Sequence, residues 1–412
     1  MAWWTRCGRV GIIRRVQREL IDIAEARARV LAAVEPLPPE EVALEAALGR
    51  ILRQDVHGVE DLPPFDASAM DGYAVVAGPA AELPVVGESR AGAPAGAPLG
   101  IGQAMRISTG AAMPRGADAV VPVERTEAVD GRVRLPDTTP GANVRRAGED
   151  VRSGELVLAA GTEIGPAELG VLASIGLARV ACGPRPRVAV VTTGDELVEP
   201  GQRLRPGQIR NSNAIALSAQ AVDAGAESVA RAVPDDLEAT TAALGDALEA
   251  ADVVCVAGGV SVGEHDHVKA AFAELGVEER FWGVRLKPGK PTWFGTRGST
   301  LAFGLPGNPV SAMVTFHLFS RPALRVLAGA DPGASRTTGV LDVPVKLSSA
   351  REQVLRCRLE ARADGWHVAP TKRQESHVLT SMLGAGAFAL VPAGEGELAE
   401  GERVEIELLG RG

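Results

Sequence analysis

The sequence is short of cysteine and of long apolar runs, and each shortage removes a class of protein. Its four cysteines, Cys7, Cys182, Cys255 and Cys357, lie far apart with no C-x-x-C pair. That excludes a dense disulfide framework and a cysteine-only zinc site, and it fits a reducing, cytoplasmic setting. No stretch approaches the ~20 apolar residues of a membrane-spanning helix. The patch Val10-Gly-Ile-Ile13 is too short for the core of an export signal. A basic surplus is missing too: the net charge is −9, which argues against a general nucleic-acid binder, whose affinity rests on clustered Lys and Arg.

What is present supports a folded chain of several domains. Of 412 residues 46% are hydrophobic and 23% charged, more than one core usually serves. Gly 48 and Pro 28 predict many turns. Residues 1–18, with Trp3, Trp4 and five arginines, are set apart as an extension without an assigned function. Leu20, Ile23, Ala24, Leu31 and Val34 fall near one helical face that Pro36 ends, and a second amphipathic helix spans 166–175. The expected domains are a discontinuous helical part, 19–53 and 147–184, with a small β domain, 54–146, inserted in it. An α/β domain, 185–330, and a C-terminal β-barrel, 331–412, follow.

The α/β domain is read from alternation. Strands at 188–191, 228–233 and 253–256 alternate with helices at 214–224, 237–250 and 268–275, the signature of a parallel sheet. Its centre is the strand Val253 to Val256, which breaks into a turn carrying Gly258, Gly259 and Gly263 before helical periodicity resumes. Three readings of this turn stay open. Gly259-Val-Ser-Val-Gly263 fits the nucleophile elbow of α/β-hydrolases, with Ser261 as nucleophile and His317, His367 or His377 as partner. It equally suits a phosphate cradle with Glu264, Asp266 and Lys269 nearby, or a plain strand-to-helix connection. His265-Asp-His267 reads as helix N-terminal polarity rather than a transition-metal site.

In such a sheet the loops after the strands share one rim. Here they are Thr193-Gly-Asp-Glu196, Pro234-Asp-Asp236, 258–266, Lys287-Pro-Gly-Lys290 and Gly304-Leu-Pro-Gly-Asn-Pro309, rich in carboxylates and lysines. Acidic groups there suit Mg²⁺ and lysines suit phosphate. Asn308-Pro309 also reads as a helix start, and Gln374-Glu-Ser-His377 as a turn. Outside this domain, Asp61 to Val75 gathers three aspartates, two prolines and the only tyrosine, with Asp71-Gly72 a possible hairpin turn.

Together these segments resemble the molybdopterin molybdenumtransferase family, the group containing MoeA and the gephyrin E domain. The resemblance is carried by Phe65-Asp-Ala-Ser-Ala-Met-Asp-Gly-Tyr-Ala-Val75, Ser108-Thr-Gly110, Arg145-Arg-Ala-Gly-Glu-Asp150, Thr193-Gly-Asp-Glu-Leu197, Gly258 to Asp266, Lys287-Pro-Gly-Lys-Pro291 and Gly304-Leu-Pro-Gly-Asn-Pro-Val-Ser311. It implies a MogA-like α/β domain and a homodimer of four-domain subunits with shared active sites. It further implies Mg²⁺-dependent insertion of molybdenum from molybdate into adenylylated molybdopterin, with release of AMP. By position the catalytic residues are Asp71, Thr109, Asp150, Glu196, Asp235 and Asp266, with Glu196 and Asp266 at the metal. Arg145, Gly258, Gly259, Ser261, Gly263, Lys287, Lys290, Pro306, Asn308 and Pro309 would bind substrate. Asp71 and Thr109 would enter from the partner subunit, and an upstream adenylyltransferase is an expected contact. Where the family carries an additional basic residue between Trp282 and Lys287, this chain has Gly283, with Arg285 the nearest cation. The alternatives are a non-catalytic scaffold paralogue and, more remotely, the Ser261 hydrolase.

Overall fold

The fold follows from which apolar runs can be covered on both faces and which on one only. A computed structural model describes residues 20–260, 267–333 and 335–410 of the chain. These form two compact units, 39–182 and the remainder, and every hydrophobic core cluster draws its residues from one unit alone. The expected extension, 1–18, lies outside the described residues.

The first helix, α1 (Ile23–Leu31), starts where Asp22 accepts the N–H of Glu25 at 2.7 Å. Its buried face is Ile23, Ala26, Arg27 and Val30, and Ala24, expected inside, faces out. An arginine takes an inward position because Glu407 waits there to pair with it.

In the 39–182 unit, β1 (Glu40–Ala43) runs antiparallel to the strand Arg179–Cys182 that leaves the unit. Short β2 (Ala67–Ser68) pairs with Val144–Arg145. A six-stranded sheet follows, built on β3 (Gly72–Val75), whose four residues are all buried. Gly72 opens that strand rather than forming a hairpin turn: a Cβ there would run into the backbone of Val121. The helix α2 (Pro166–Ser174) carries Pro at its first position, and Glu168 accepts the N–H of Gly165 at 2.9 Å.

In the other unit a mixed sheet has four parallel strands in the order β5, β4, β6, β9. These are β4 (Arg187–Thr193), β5 (Glu227–Val233), β6 (Val253–Ala257) and, after β7 (Glu278–Trp282) and β8 (Trp293–Arg297), β9 (Thr300–Leu305). β6, flanked on both sides, buries all five residues, as its unbroken apolar run requires. The helices are α3 (Ser212–Asp223), α4 (Leu237–Ala250), α5 (His267–Glu274) and α6 (Pro309–Thr315). β8 and β7 extend the sheet antiparallel, so the parallel sheet expected from alternation is parallel only over four strands.

Beyond α6 a π-helical turn, Phe316–Ser320, leads to a helix at Arg321–Leu327 and then to the barrel. Five strands close it: β10 (Arg336–Leu341), β11 (Glu352–Arg362), β12 (Gly365–Pro370), β13 (Ala387–Val391) and β14 (Arg403–Leu408). Closure comes from β11 pairing with β13 as well as with β12. β10 ends at Leu341, and Val345–Lys346 pairs separately with Glu397–Leu398. Among the described residues no helix is long and apolar enough to cross a membrane.

Candidate active site

The register of the parallel strands brings the predicted loops to one edge. Thr193 lies level with Val233, Thr192 with Ala257, and Ala257 with Leu305. The loops at 194–196, 234–236, 258–260 and 306–309 therefore leave one carboxyl rim. Because Trp293 pairs with Gly304, the Lys287–Lys290 loop reaches the same edge.

The rim is tied together by backbone and side-chain bonds. Asp195 Oδ1 accepts the N–H of Asp235 at 3.1 Å, joining the first two loops. Gly194, at φ 151°, holds a backbone conformation that favours glycine, and the Glu196 carboxylate folds back to within 2.5 Å of where a Cβ would stand. The N–H of Gly258 donates to Leu305 O at 3.2 Å, joining the glycine turn to the last loop. Gly258 and Gly259, both at positive φ, pass over Thr193, whose Oγ1 is buried without a hydrogen-bond partner. Trp282 donates its indole N–H to Val260 O at 3.1 Å, and Lys269 Nζ stands 5.1 Å over the Trp282 ring.

Lys287 and Lys290 are exposed, on either side of the buried Pro288-Gly289 pair, and Thr292 Oγ1 donates to Gly289 O at 2.7 Å. Pro306 is buried and Asn308 exposed. Asn308 stands at the N-cap of α6 but makes no capping bond, contrary to its reading as a cap. Its Nδ2 donates to Ser376 Oγ at 3.2 Å, so the segment read as a plain turn meets the rim. Pro309 does open the helix. Arg285, the neighbouring cation, lies 3.8 Å from Asp22 at the start of α1. Gly283, at φ 88°, stands where a Cβ would lie 2.5 Å from Leu20.

Ser261, Gly263 and Asp266 lie outside the described residues, as do Glu264 and His265. Among the described residues no three His, Cys, Asp or Glu side chains converge as a metal cage. His317, one hydrolase partner, is sealed in the core against Glu407 and Phe388. His367 sits between Asp342 and Asp364 on the barrel.

The remaining predicted residues belong to the 39–182 unit. Asp71 Oδ1 accepts the N–H of Thr109 at 2.7 Å, so these two exposed residues form one corner. The same corner holds β2, whose Ser68 accepts from Gly110 and whose Ala67 pairs with Arg145. Arg146 lies 2.6 Å from Asp66, and the Ala147 N–H with this guanidinium holds the Asp66 carboxyl below its usual range. Asp150, exposed, lies in a depression of about 780 Å³ that Arg146 and Arg152 also line. The fold thus gathers Glu196, Asp235, the glycines, the lysines and the Pro306–Pro309 loop on one rim, and Asp71, Thr109 and Arg145 at another corner. Asn213, whose amide reaches Gly307 O at 2.8 Å, was missed because nothing local in the sequence marks a long-range amide bond.

Comparisons with known proteins agree across the chain. Residues 21–176 match the MoeA N-terminal region (domain I and II), 189–326 a probable molybdopterin binding domain, and 338–409 the MoeA C-terminal region (domain IV). Molybdopterin molybdenumtransferase 2 of Mycobacterium tuberculosis is 39% identical, covering 96% of this chain and 99% of its own. Molybdopterin molybdenumtransferase of Haemophilus influenzae is 34% identical, over 94% and 98%. The crystal structure of the molybdopterin biosynthesis MoeA protein from Pyrococcus horikosii superposes with a TM-score of 0.80 at 33% identity, covering 95% of this chain and 99% of that one.

Proposed function

The chain belongs to the molybdopterin molybdenumtransferase family, a transferase that inserts molybdenum into molybdopterin in molybdenum cofactor biosynthesis, and we propose that its substrate is adenylylated molybdopterin, with molybdate as metal source and AMP as leaving product. The observation that supports the finer reading is the rim itself, where two exposed lysines stand on the same edge as glycines open to close backbone approach.

Molybdate and a phosphoanhydride are both anionic, so bringing them together is opposed by Coulomb repulsion that grows as water leaves the cleft. Lys287 and Lys290 offset that charge, and the glycine turn lets backbone N–H groups approach the phosphates. Glu196 and Asp235 offer acceptors for a pterin's N–H groups. In the proposed step a water molecule attacks the adenylate phosphorus, gives its protons to solvent, and the phosphoanhydride P–O bond breaks. Its electron pair stays on the molybdopterin phosphate, AMP leaves with the water's oxygen, and the two dithiolene thiols become molybdenum ligands as their protons leave with one molybdate oxygen as water.

Mg²⁺ fits the described donors as an ion shared with substrate rather than caged by protein. It is commonly held by one or two carboxylates plus substrate phosphates, and Glu196 supplies one such group. Asp266, assigned with it, lies outside the described residues. Bound there, the ion would neutralise phosphate charge. We further propose a homodimer in which Asp71, Thr109 and Arg145 complete the partner's rim, as their corner in the other unit suits an anion, and transient contact with an upstream adenylyltransferase.

The test supplies purified protein with adenylylated molybdopterin, Mg²⁺ and molybdate. Release of AMP with formation of active cofactor is expected. Formation of active cofactor from molybdopterin without an adenylate would overturn the adenylate reading, and absence of both products would leave a non-catalytic scaffold.

A further inference from the structure

One face of α3 carries two amides that serve α6 in the same way. Asn213 Nδ2 donates to Gly307 O at 2.8 Å, just ahead of α6, and seven residues on Gln220 Nε2 donates to Met313 O at 3.2 Å, inside it. Each leaves its own oxygen, Asn213 Oδ1 and Gln220 Oε1, buried and without a hydrogen-bond partner. A buried acceptor with no partner forfeits its solvation, so this seam is less stable than an apolar one of the same shape. Stability alone does not explain it.

The two amides differ in what they hold. Met313 O lies within a helix that its own backbone bonds define. Gly307 O belongs to the Pro306–Pro309 loop, whose path at Gly307 passes close to Gly258, a Cβ on Gly307 lying 3.7 Å from Gly258 Cα. The N-cap of α3, Asn211, donates to Thr192 Oγ1 at 2.8 Å, so the start of this helix is anchored to β4 at the same rim. Asn213 thus ties the end of β4, through the first turn of α3, to the loop after β9.

We propose that Asn213 is a positioning residue for substrate: it fixes the Gly307 carbonyl so that the Pro306–Pro309 loop and the glycine turn keep the spacing that molybdopterin needs, at some expense in stability. Gln220, making the same bond about two turns away, only packs. This inference rests on the rim being the molybdopterin site.

The experiment compares full-length wild type, Asn213→Ala, Asn213→Asp and Gln220→Leu by thermal melting, by molybdopterin titration and by the KM and kcat of molybdenum insertion. Asn213→Ala and Asn213→Asp both remove the donor. Each is expected to raise KM and weaken molybdopterin binding by ~10-fold or more, since small misplacements in a site cost that much. Asn213→Ala is expected to melt no lower than wild type, and Gln220→Leu to leave KM unchanged. An unchanged KM in both Asn213 variants, an equal rise in Gln220→Leu, or a KM that simply tracks melting temperature across the four proteins overturns the proposal. Failure of the wild type to bind molybdopterin would defeat the reading of the rim instead.

Discussion

Single residues here are constrained by contacts that a side chain list alone does not reveal. At Gly194 the positive φ and the overlying Glu196 act together. Gly194→Ala is expected to lower molybdenum insertion by ~10-fold or more through displacement of Glu196, and to lower the melting temperature as well, because alanine is strained at this φ; an assay showing wild-type turnover would refute it. The cysteines follow the opposite logic. Cys255 and Cys357 are fully buried, and burial pushes each thiol up to about 12. Both are expected to escape iodoacetamide in the native protein near pH 8 and to react once it is denatured, as read by mass spectrometry. Native alkylation of either would show that its strand opens.

At the scale of elements the π-helical turn is the most informative. It places His317 Nε2 3.0 Å from Glu407 Oε2, while Arg27 of α1 pairs with Oε1 and donates to Leu318 O. Burial pushes His317 down. Burial alone would raise Glu407, but His317 and Arg27 outweigh it and hold it below its ordinary value. Both shifts mean that the unfolded chain binds more protons than the native one. The histidine's share of stability is therefore complete above about pH 6.5 and lost below it, and the carboxylate's share is lost below about pH 4.5. Melting curves are expected to fall between about pH 7 and about pH 5, less so in His317→Gln; parallel curves for the two proteins would sink this. Arg27→Ala should cost roughly 3–5 kcal/mol in denaturant unfolding, because it strands a buried carboxylate.

Arg27 also marks what was legible. The strands and helices of the α/β repeat could be read because β6 buries both faces and α4 has Asp236 accepting the N–H of Ala239 as its cap. The inward arginine could not, since its partner lies 380 residues away. Strand direction was equally hidden: nothing local in Trp293-Phe-Gly-Thr-Arg297 says that it runs against β9. The site was legible as motifs, loop by loop. What local reading could not supply was the cross-links, from Asn213 to Gly307 and from Asn308 to Ser376, because side-chain pairing across distant segments leaves no local pattern.

At the scale of the whole molecule, the two units differ in how the chain enters them. Residues 39–182 contain three complete core clusters, so this segment expressed alone is expected to show a cooperative thermal transition by circular dichroism. A featureless melt would mean that it depends on the rest of the chain. Its first and last strands lie side by side, Glu40 opposite Cys182, so it is an insertion whose ends meet. That adjacency bears on the order of events at the ribosome. The 39–182 unit can complete its fold as soon as it emerges, since domains generally fold as units during synthesis. The core that α1 joins includes Val188, Phe303 and Phe388, residues made long after it. Helix α1, synthesised early, must therefore wait, its apolar face uncovered, for the strands synthesised last.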